Sequence, residues 1–164
     1  MARLILVCGR TGAGKTSYSR SLSRDIKAVL FSIDPWMQTL FAKDMESLDY
    51  SWMIERVYRC YEQVWQVAEQ ILSFDGTVIL DMGLTTKEQR DYFSLRARQL
   101  AIDAEIHYLK TPKEVRKNRV KKRNAEKDPD VYSFDVSEEM FEFMEPKFEA
   151  PDHKELINGC IVET

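Results

Sequence analysis

The chain has 164 residues, 44% of them hydrophobic and 31% charged, which is typical of a soluble globular protein, and we assign residues 1–164 to a single domain. Its formal net charge of −3 excludes a global attraction to nucleic acid. The first apolar run is too short for a signal peptide and no run is long enough to span a membrane, so we expect a cytoplasmic protein without a membrane partner.

A glycine-rich loop follows the first predicted strand, residues 4–8. It fits the pattern G-x-x-x-x-G-K-[ST] over residues 9–16. Glycines permit positive φ and close approach of the backbone, so N–H groups can cradle phosphate oxygens. Lys15 can reach the β- and γ-phosphates, and Thr16 can ligate Mg²⁺. We therefore predict an ATP and Mg²⁺ site. Its nucleotide-binding residues are Gly9, Arg10, Thr11, Gly12, Ala13, Gly14, Lys15, Thr16 and Ser17.

Strand and helix patterns alternate along the rest of the chain, which predicts a parallel sheet covered on both faces. The predicted strands are 4–8, 28–32, 77–80, 105–109 and 160–162, and the predicted helices are 15–23, a short piece over 37–41, 54–72, 85–101, 111–124 and 135–146. Thr85 with Glu88 resembles a capping box, Thr111 is the expected N-cap before Pro112, and Asp135 starts the last helix.

Two aspartates follow predicted strands, where open α/β sheets bind their ligands. Asp34 is a candidate catalytic base that accepts a proton from a substrate hydroxyl attacking the γ-phosphate. Alternatively, it is the N-cap of a helix with Pro35 at its first position, and the two roles can coexist. Asp81 is a candidate Mg²⁺ ligand opposite Thr16, or a strand-end residue that satisfies loop N–H groups.

Residues 113–127 are strongly basic and precede a polar loop containing Asp128, Pro129 and Asp130. Arg116, Arg119 and Arg123 share one helical face. We interpret residues 112–135 as a lid that closes over the nucleotide, with Arg119 and Arg123 neutralising the transferred phosphoryl group. A solvated charged face and a nucleic-acid patch are the alternatives.

The acceptor side of the site is less well marked. Arg90, on the helix after the third strand, either faces the acceptor or lies on the surface. Trp36 belongs to an aromatic cluster between the second and third strands. Most of that cluster is expected in the core, but some rings can wall a substrate pocket.

Cysteines and histidines provide no metal-binding pattern. Cys8, Cys60 and Cys160 are odd in number and widely spaced, which argues against a disulfide framework or a zinc site. Cys8 and Cys160 lie in apolar runs, and we expect both to be reduced core residues. His107 and His153 lack partners at ligand spacing, so neither is predicted to bind metal or act in catalysis.

Taken together, these motifs resemble the small phosphate-loop (P-loop) kinases of the nucleoside-monophosphate-kinase-like superfamily. Within it, the chain is similar to predicted ATP-binding kinases grouped with zeta toxins, chloramphenicol phosphotransferase and polynucleotide 5′-hydroxyl kinase domains. The matching residues are 9–16, 32–34, 78–81 with Arg90, Arg119 with 123–124, and 161–164. The resemblance implies an α/β, three-layer fold with a five-stranded parallel sheet of order 2-3-1-4-5, Asp34 as the acceptor-activating base and Arg119 and Arg123 as lid arginines.

The resemblance also implies phosphorylation of a hydroxyl group, without naming the acceptor. Our leading hypothesis is an ATP- and Mg²⁺-dependent kinase acting on a small molecule. A polynucleotide 5′-kinase is disfavoured by the net charge and by the acidic C-terminal third. A nucleotide-dependent switch with little catalysis is the third hypothesis. No N-K-x-D guanine-recognition motif follows the fourth strand, which argues against a GTPase switch.

Overall fold

The computed structural model describes residues 1–44, 49–128 and 134–164. Its strands are β1 Arg3–Gly9, β2 Val29–Ser32, β3 Thr77–Asp81, β4 Glu105–Lys110 and β5 Cys160–Glu163. Within these described residues the α-helices are α1 Lys15–Ile26, α2 Ile33–Phe41, α3 Tyr50–Ser73, α4 Lys87–Gln99, α5 Lys113–Glu126 and α6 Glu138–Met144, and 3₁₀ turns cover Ala42–Asp44 and Glu145–Lys147.

The five strands form one sheet in the order β2-β3-β1-β4-β5, and every neighbouring pair is parallel. This confirms the predicted order. In the centre, Leu4 is paired with Val78 and Leu6 with Ile106. Because all strands run the same way, their carboxyl ends meet at one edge of the sheet, which is where such sheets bind ligands. That edge carries the phosphate loop.

The central strand β1 is buried on both faces, which explains its continuous apolar sequence. Leu4, Leu6 and Cys8 belong to a core cluster that includes side chains of α3 and α4. Ile5 and Val7 belong to a second cluster, with side chains of α1 packed against it. Helices therefore cover both faces, as predicted, and each fully buried aliphatic side chain contributes about 1.5–3 kcal/mol.

The structure corrects two predicted helix starts. Helix α4 is capped by Thr86 and Gln89, which form a capping box, rather than by Thr85 and Glu88. Helix α5 begins at Lys113 with Pro112 in the N-cap position, so Thr111 is not its cap. The Thr111 hydroxyl instead lies within hydrogen-bond distance of the Ala13 carbonyl and the Thr164 hydroxyl.

Two further predictions near the C-terminal end are wrong. Ser137 caps α6 by accepting a hydrogen bond from the Met140 N–H, so Asp135 does not start that helix. Cys160 is exposed because β5 is an edge strand, whereas Cys8 is buried as expected. Residues 129–133 of the predicted lid, which include two residues of its polar loop, lie outside the described residues. None of the described helices is long and apolar enough to span a lipid bilayer.

Candidate functional site

The phosphate loop joins β1 to α1 through two left-handed glycines. Gly12 has φ +78° and Gly14 has φ +91°, a region that L side chains rarely adopt. A Cβ atom at Gly12 would lie 2.7 Å from the Arg116 carbonyl oxygen, so only glycine fits there. No side chain caps α1 at Gly14. The first N–H groups of α1, including that of the exposed Ser17, therefore lie where the sequence predicts an anion site, and that site stays a prediction.

Hydrogen bonds hold the carbonyl groups of this loop. The Lys15 ammonium donates to the carbonyl oxygens of Gly9, at 2.9 Å, and Arg10, at 3.2 Å. Arg116 donates to the Thr11 carbonyl oxygen at 3.1 Å. In a trans peptide group the N–H points away from the C=O, so a carbonyl held by a hydrogen bond also fixes the direction of the N–H of the same peptide. This arrangement suits a phosphate cradle.

Asp81 and Thr16 lie together at the end of β3. The Thr16 hydroxyl donates to Asp81 Oδ2 at 3.1 Å, and the Ser32 hydroxyl lies 3.5 Å from the same oxygen. Asp81 is buried. Burial raises the pKa of Asp81, the positive charge of Lys15 opposes that rise, and the negative charge of Asp34 adds to it. A carboxylate beside a hydroxyl at a phosphate site is a donor set that fits Mg²⁺, which keeps several waters and takes few protein ligands.

Asp34 is the second residue of α2 and is half-buried. Burial raises the pKa of Asp34, whereas the positive charges of Lys15 and Arg123 oppose that rise. The helix begins at Ile33, and Ser32 occupies the N-cap position, so the expected N-cap role of Asp34 is wrong. Asp34 thus lies within the electrostatic influence of one cation of the loop, Lys15, and one of α5, Arg123, and has no structural role as a cap.

Arg123 lies near the end of α5. Its side chain is half-buried, and its charge acts on Asp34. Among the described residues, the buried Nε of Arg123 has no hydrogen-bond partner. A buried N–H without a partner is costly, and native structures satisfy such groups with protein, water or ligand. The donor is therefore available to an anion bound between Lys15 and Asp34.

Arg119 lies elsewhere in this arrangement. It is exposed, and its Nη1 atom is 3.4 Å from the Ala13 carbonyl oxygen and 3.3 Å from the Thr164 hydroxyl. The Thr164 hydroxyl itself donates to the Ala13 carbonyl at 3.2 Å. Arg119 thus contacts the Ala13 carbonyl of the phosphate loop, whereas the charge of Arg123 acts on Asp34. The sequence placed both on one helical face and could not separate them.

Sequence reasoning missed one acidic residue beside the loop. Glu145, in the 3₁₀ turn after α6, accepts two hydrogen bonds from Arg116, at 2.5 and 2.9 Å. Its backbone carbonyl accepts a hydrogen bond from Arg10, whose guanidinium also lies over the Phe148 ring. Glu145 belongs to no motif, and its partners are 29 and 135 residues away in the sequence, so no local signal marks it.

Comparison with known proteins identifies the family. A family model described as an AAA domain matches residues 4–151. The chain belongs to this family. No curated protein sequence matches the chain.

Solved structures share the fold of this AAA domain. Kti12 from Chaetomium thermophilum, in complex with ADP-AlF3, is 17% identical with a TM-score of 0.72, over 98% of this chain and 88% of that one. A gluconokinase from Sinorhizobium meliloti is 14% identical with a TM-score of 0.61, over 98% and 82%. The Mycobacterium tuberculosis APS kinase CysC, in complex with AMPPNP and APS, is 16% identical with a TM-score of 0.56, over 78% and 73%.

These likenesses show the fold. The chain thus shares its fold with solved kinases such as the gluconokinase and the APS kinase.

Two further residues, Arg90 and Trp36, are expected from the sequence at the acceptor side of the AAA domain. Arg90 is completely buried, and it forms an ion pair with Glu155 at 2.7 Å and a hydrogen bond to the Leu84 carbonyl. It is therefore neither the surface residue nor the open acceptor contact that the sequence suggested. Trp36 is half-buried with its ring edge-on to Phe31, at 6.2 Å between centroids, and its role in acceptor binding stays a prediction.

Proposed function

We propose that this protein is an ATP- and Mg²⁺-dependent kinase that transfers the γ-phosphoryl group to a hydroxyl of a small-molecule acceptor. The single observation that carries the proposal is the placement of Asp34. It follows β2 at the edge of the sheet where the strands end. The positive charges of Lys15 and Arg123 act on Asp34, and its own negative charge acts on Asp81. A carboxylate in that position beside a triphosphate cradle is suited to receive the proton of an attacking hydroxyl.

Each residue has a distinct role in the proposed step. The acceptor oxygen forms a bond to the γ-phosphorus while the bond to the leaving ADP oxygen breaks, and Asp34 takes the hydroxyl proton. Lys15 and the free Nε–H of Arg123 neutralise charge on the transferred phosphoryl group. Thr16 and Asp81 would hold Mg²⁺, which, when bound, neutralises charge on the β- and γ-phosphates.

The structural relatives favour a small acceptor. One is a gluconokinase and another is an APS kinase with AMPPNP and APS bound, so the same fold serves small-molecule kinases. The basic helix offers less support for a polynucleotide acceptor, because carboxylates of α6 already engage its lysines. Lys113 pairs with Glu142 at 2.6 Å, and Lys117 pairs with Glu138 at 3.3 Å and with Glu142 at 2.6 Å.

The test is ADP release from Mg²⁺–ATP in the presence of sugars, nucleosides, nucleotide sugars, aminoglycosides and 5′-hydroxyl oligonucleotides. We expect one small-molecule class to stimulate turnover. Asp34→Asn should then lower kcat by about 10²–10⁴-fold, the usual contribution of a general base, and leave ATP affinity nearly unchanged. Asp103→Asn is the matched control, because that carboxylate is exposed and only loosely paired, 3.9 Å from Arg98.

Three outcomes would contradict parts of this proposal. Unchanged turnover in Asp34→Asn would eliminate the proposed base. Stimulation by oligonucleotides alone, with binding that weakens steeply as salt rises, would replace the small-molecule acceptor with a polynucleotide. Tight ATP binding without stimulation by any class would favour a nucleotide-dependent switch.

A further inference from the structure

Glu145 connects three parts of the molecule that are distant in sequence. Its carboxylate lies 2.5 and 2.9 Å from two nitrogens of Arg116 on α5 and 3.7 Å from Nη1 of Arg10 in the phosphate loop. Its backbone carbonyl accepts a further hydrogen bond from Arg10. The turn after α6 is thus fixed to both the phosphate loop and the lid helix through one residue.

Arg116 carries this connection into the backbone of the loop. It is 3% exposed, and it donates to the Thr11 carbonyl and to the Thr111 carbonyl, each at 3.1 Å. Its own backbone carbonyl lies against Gly12 so closely that a Cβ atom there would be 2.7 Å away. Arg116 therefore fixes the orientation of the Thr11–Gly12 peptide group, including its N–H, which in a trans peptide points away from the held carbonyl.

The charge of Glu145 is what keeps the buried guanidinium in place. Hydrogen bonds from Arg116 hold the pKa of Glu145 below its usual range, so the carboxylate is ionised at neutral pH. A buried guanidinium without its carboxylate has to find other partners or move toward water. Either change would break the hydrogen bond to the Thr11 carbonyl. Even a small displacement of a preorganised binding loop then causes a large loss of affinity for the nucleotide phosphates.

We propose that Glu145 is a positioning residue for the phosphate loop: it holds Arg116 and Arg10 so that the loop presents its N–H groups to the phosphates of the nucleotide. The inference rests on the proposed function, because it concerns nucleotide binding. Glu145 lies outside every motif that the sequence analysis identified. It assigns no chemical step to Glu145, which touches the loop only through the two arginines and its own backbone.

Glu145→Gln tests this role, with Glu142→Gln as the matched control. Glu142 lies three residues earlier and pairs with Lys113 and Lys117 on the same α5, and among the described residues it has no partner in the phosphate loop. Calorimetry would measure binding of ADP and of inorganic tripolyphosphate, neither of which requires an acceptor. We expect Glu145→Gln to weaken both at least about tenfold. Glu142→Gln should stay within about twofold of the wild type.

Hydrogen exchange on the ligand-free protein provides a second readout that general destabilisation would not reproduce. Exchange should rise in residues 9–16 of Glu145→Gln and stay unchanged in the strands β1 and β3. Arg10→Gln, which leaves the Glu145–Arg116 pair intact, replaces Glu145→Gln where the latter does not fold. We expect Arg10→Gln to weaken tripolyphosphate binding and to raise hydrogen exchange in the loop, each by a smaller factor than Glu145→Gln.

Equal affinity and equal loop exchange in wild type and Glu145→Gln would overturn the inference. So would an equal loss in Glu142→Gln, since that result would point to general loosening between α5 and α6. If the wild type binds no nucleotide, the proposed kinase function fails, and the exchange measurement on the ligand-free loop still decides whether Glu145 positions it.

Discussion

Asp34 and Asp81 interact with each other and with the single ammonium of Lys15. Burial raises the pKa of both carboxyl groups, and for Asp81 the charge of Asp34 raises it further. Without a ligand, this arrangement is electrostatically unfavourable, because two partly desolvated carboxylates share few cations. Functional sites are often less stable than the rest of the fold for this reason.

At the residue scale, we therefore expect Asp34→Asn to stabilise the ligand-free protein although it should lower kcat. The pKa of Asp34 is higher in the folded than in the unfolded state, so ionisation costs stability as the pH rises from the unfolded value of about 4. The difference in unfolding free energy between Asp34→Asn and the wild type should therefore grow from about pH 4 toward neutral pH. Urea unfolding in EDTA at several pH values measures it, with Asp103→Asn as control. A less stable Asp34→Asn at neutral pH would contradict the electrostatic argument.

At the scale of elements, the start of α4 shows how two adjacent threonines acquire different roles. The Thr86 hydroxyl accepts from the Gln89 N–H at 3.3 Å, and the Gln89 side chain accepts from the Thr86 N–H at 3.0 Å. The Thr85 hydroxyl instead donates to the Gly83 carbonyl at 3.1 Å. Both T-x-x-E and T-x-x-Q satisfy the capping-box pattern, so sequence alone does not distinguish the two registers.

Alanine substitutions distinguish the two registers experimentally. Thr86→Ala removes the cap and should cost about 1 kcal/mol of unfolding free energy. Glu88→Ala should change that free energy by less than Gln89→Ala, because Gln89 accepts from the backbone N–H groups of Thr85 and Thr86. Chemical denaturation of the three single variants measures both differences. A larger loss in Glu88→Ala than in Gln89→Ala would restore the register expected from the sequence.

At the scale of the whole molecule, the ligand-binding edge is assembled from separate strands and helices. The Thr16–Asp81 hydrogen bond joins residues 65 apart, and the Thr11 contact of Arg116 joins residues 105 apart. A ligand that contacts these groups binds only the folded state. Binding must therefore raise the stability of the entire domain by mass action.

We accordingly expect Mg²⁺–ADP at about 100 times its Kd to stabilise the protein by about 2.7 kcal/mol. For a chain of this length, the melting temperature should rise by about 5–10 °C. EDTA should reduce the shift, because Thr16 and Asp81 then contribute no metal contact. Lys15→Ala, which removes the ammonium, should abolish most of it. An unchanged melting temperature of the wild type at high Mg²⁺–ADP would contradict nucleotide binding at this site.

The sequence by itself determined the sheet and the phosphate loop. Apolar runs separated by helical patterns indicated parallel strands, and the glycine spacing of residues 9–16 indicated an anion cradle, because both are properties of consecutive residues. It also brought Asp34 and Asp81 to one edge, since parallel strands end on the same side.

Only the tertiary structure decided which charged side chains face the site. The charge of Arg123 acts on Asp34, whereas Arg119, one helical turn away, contacts the Ala13 carbonyl of the loop. Arg90 is buried against Glu155, and Glu145 holds Arg116 on α5 and Arg10 in the phosphate loop. The physical reason is that long cationic side chains take the nearest carboxylate or carbonyl in space. Those partners lie 29 to 135 residues away, where neither periodicity nor a motif carries information.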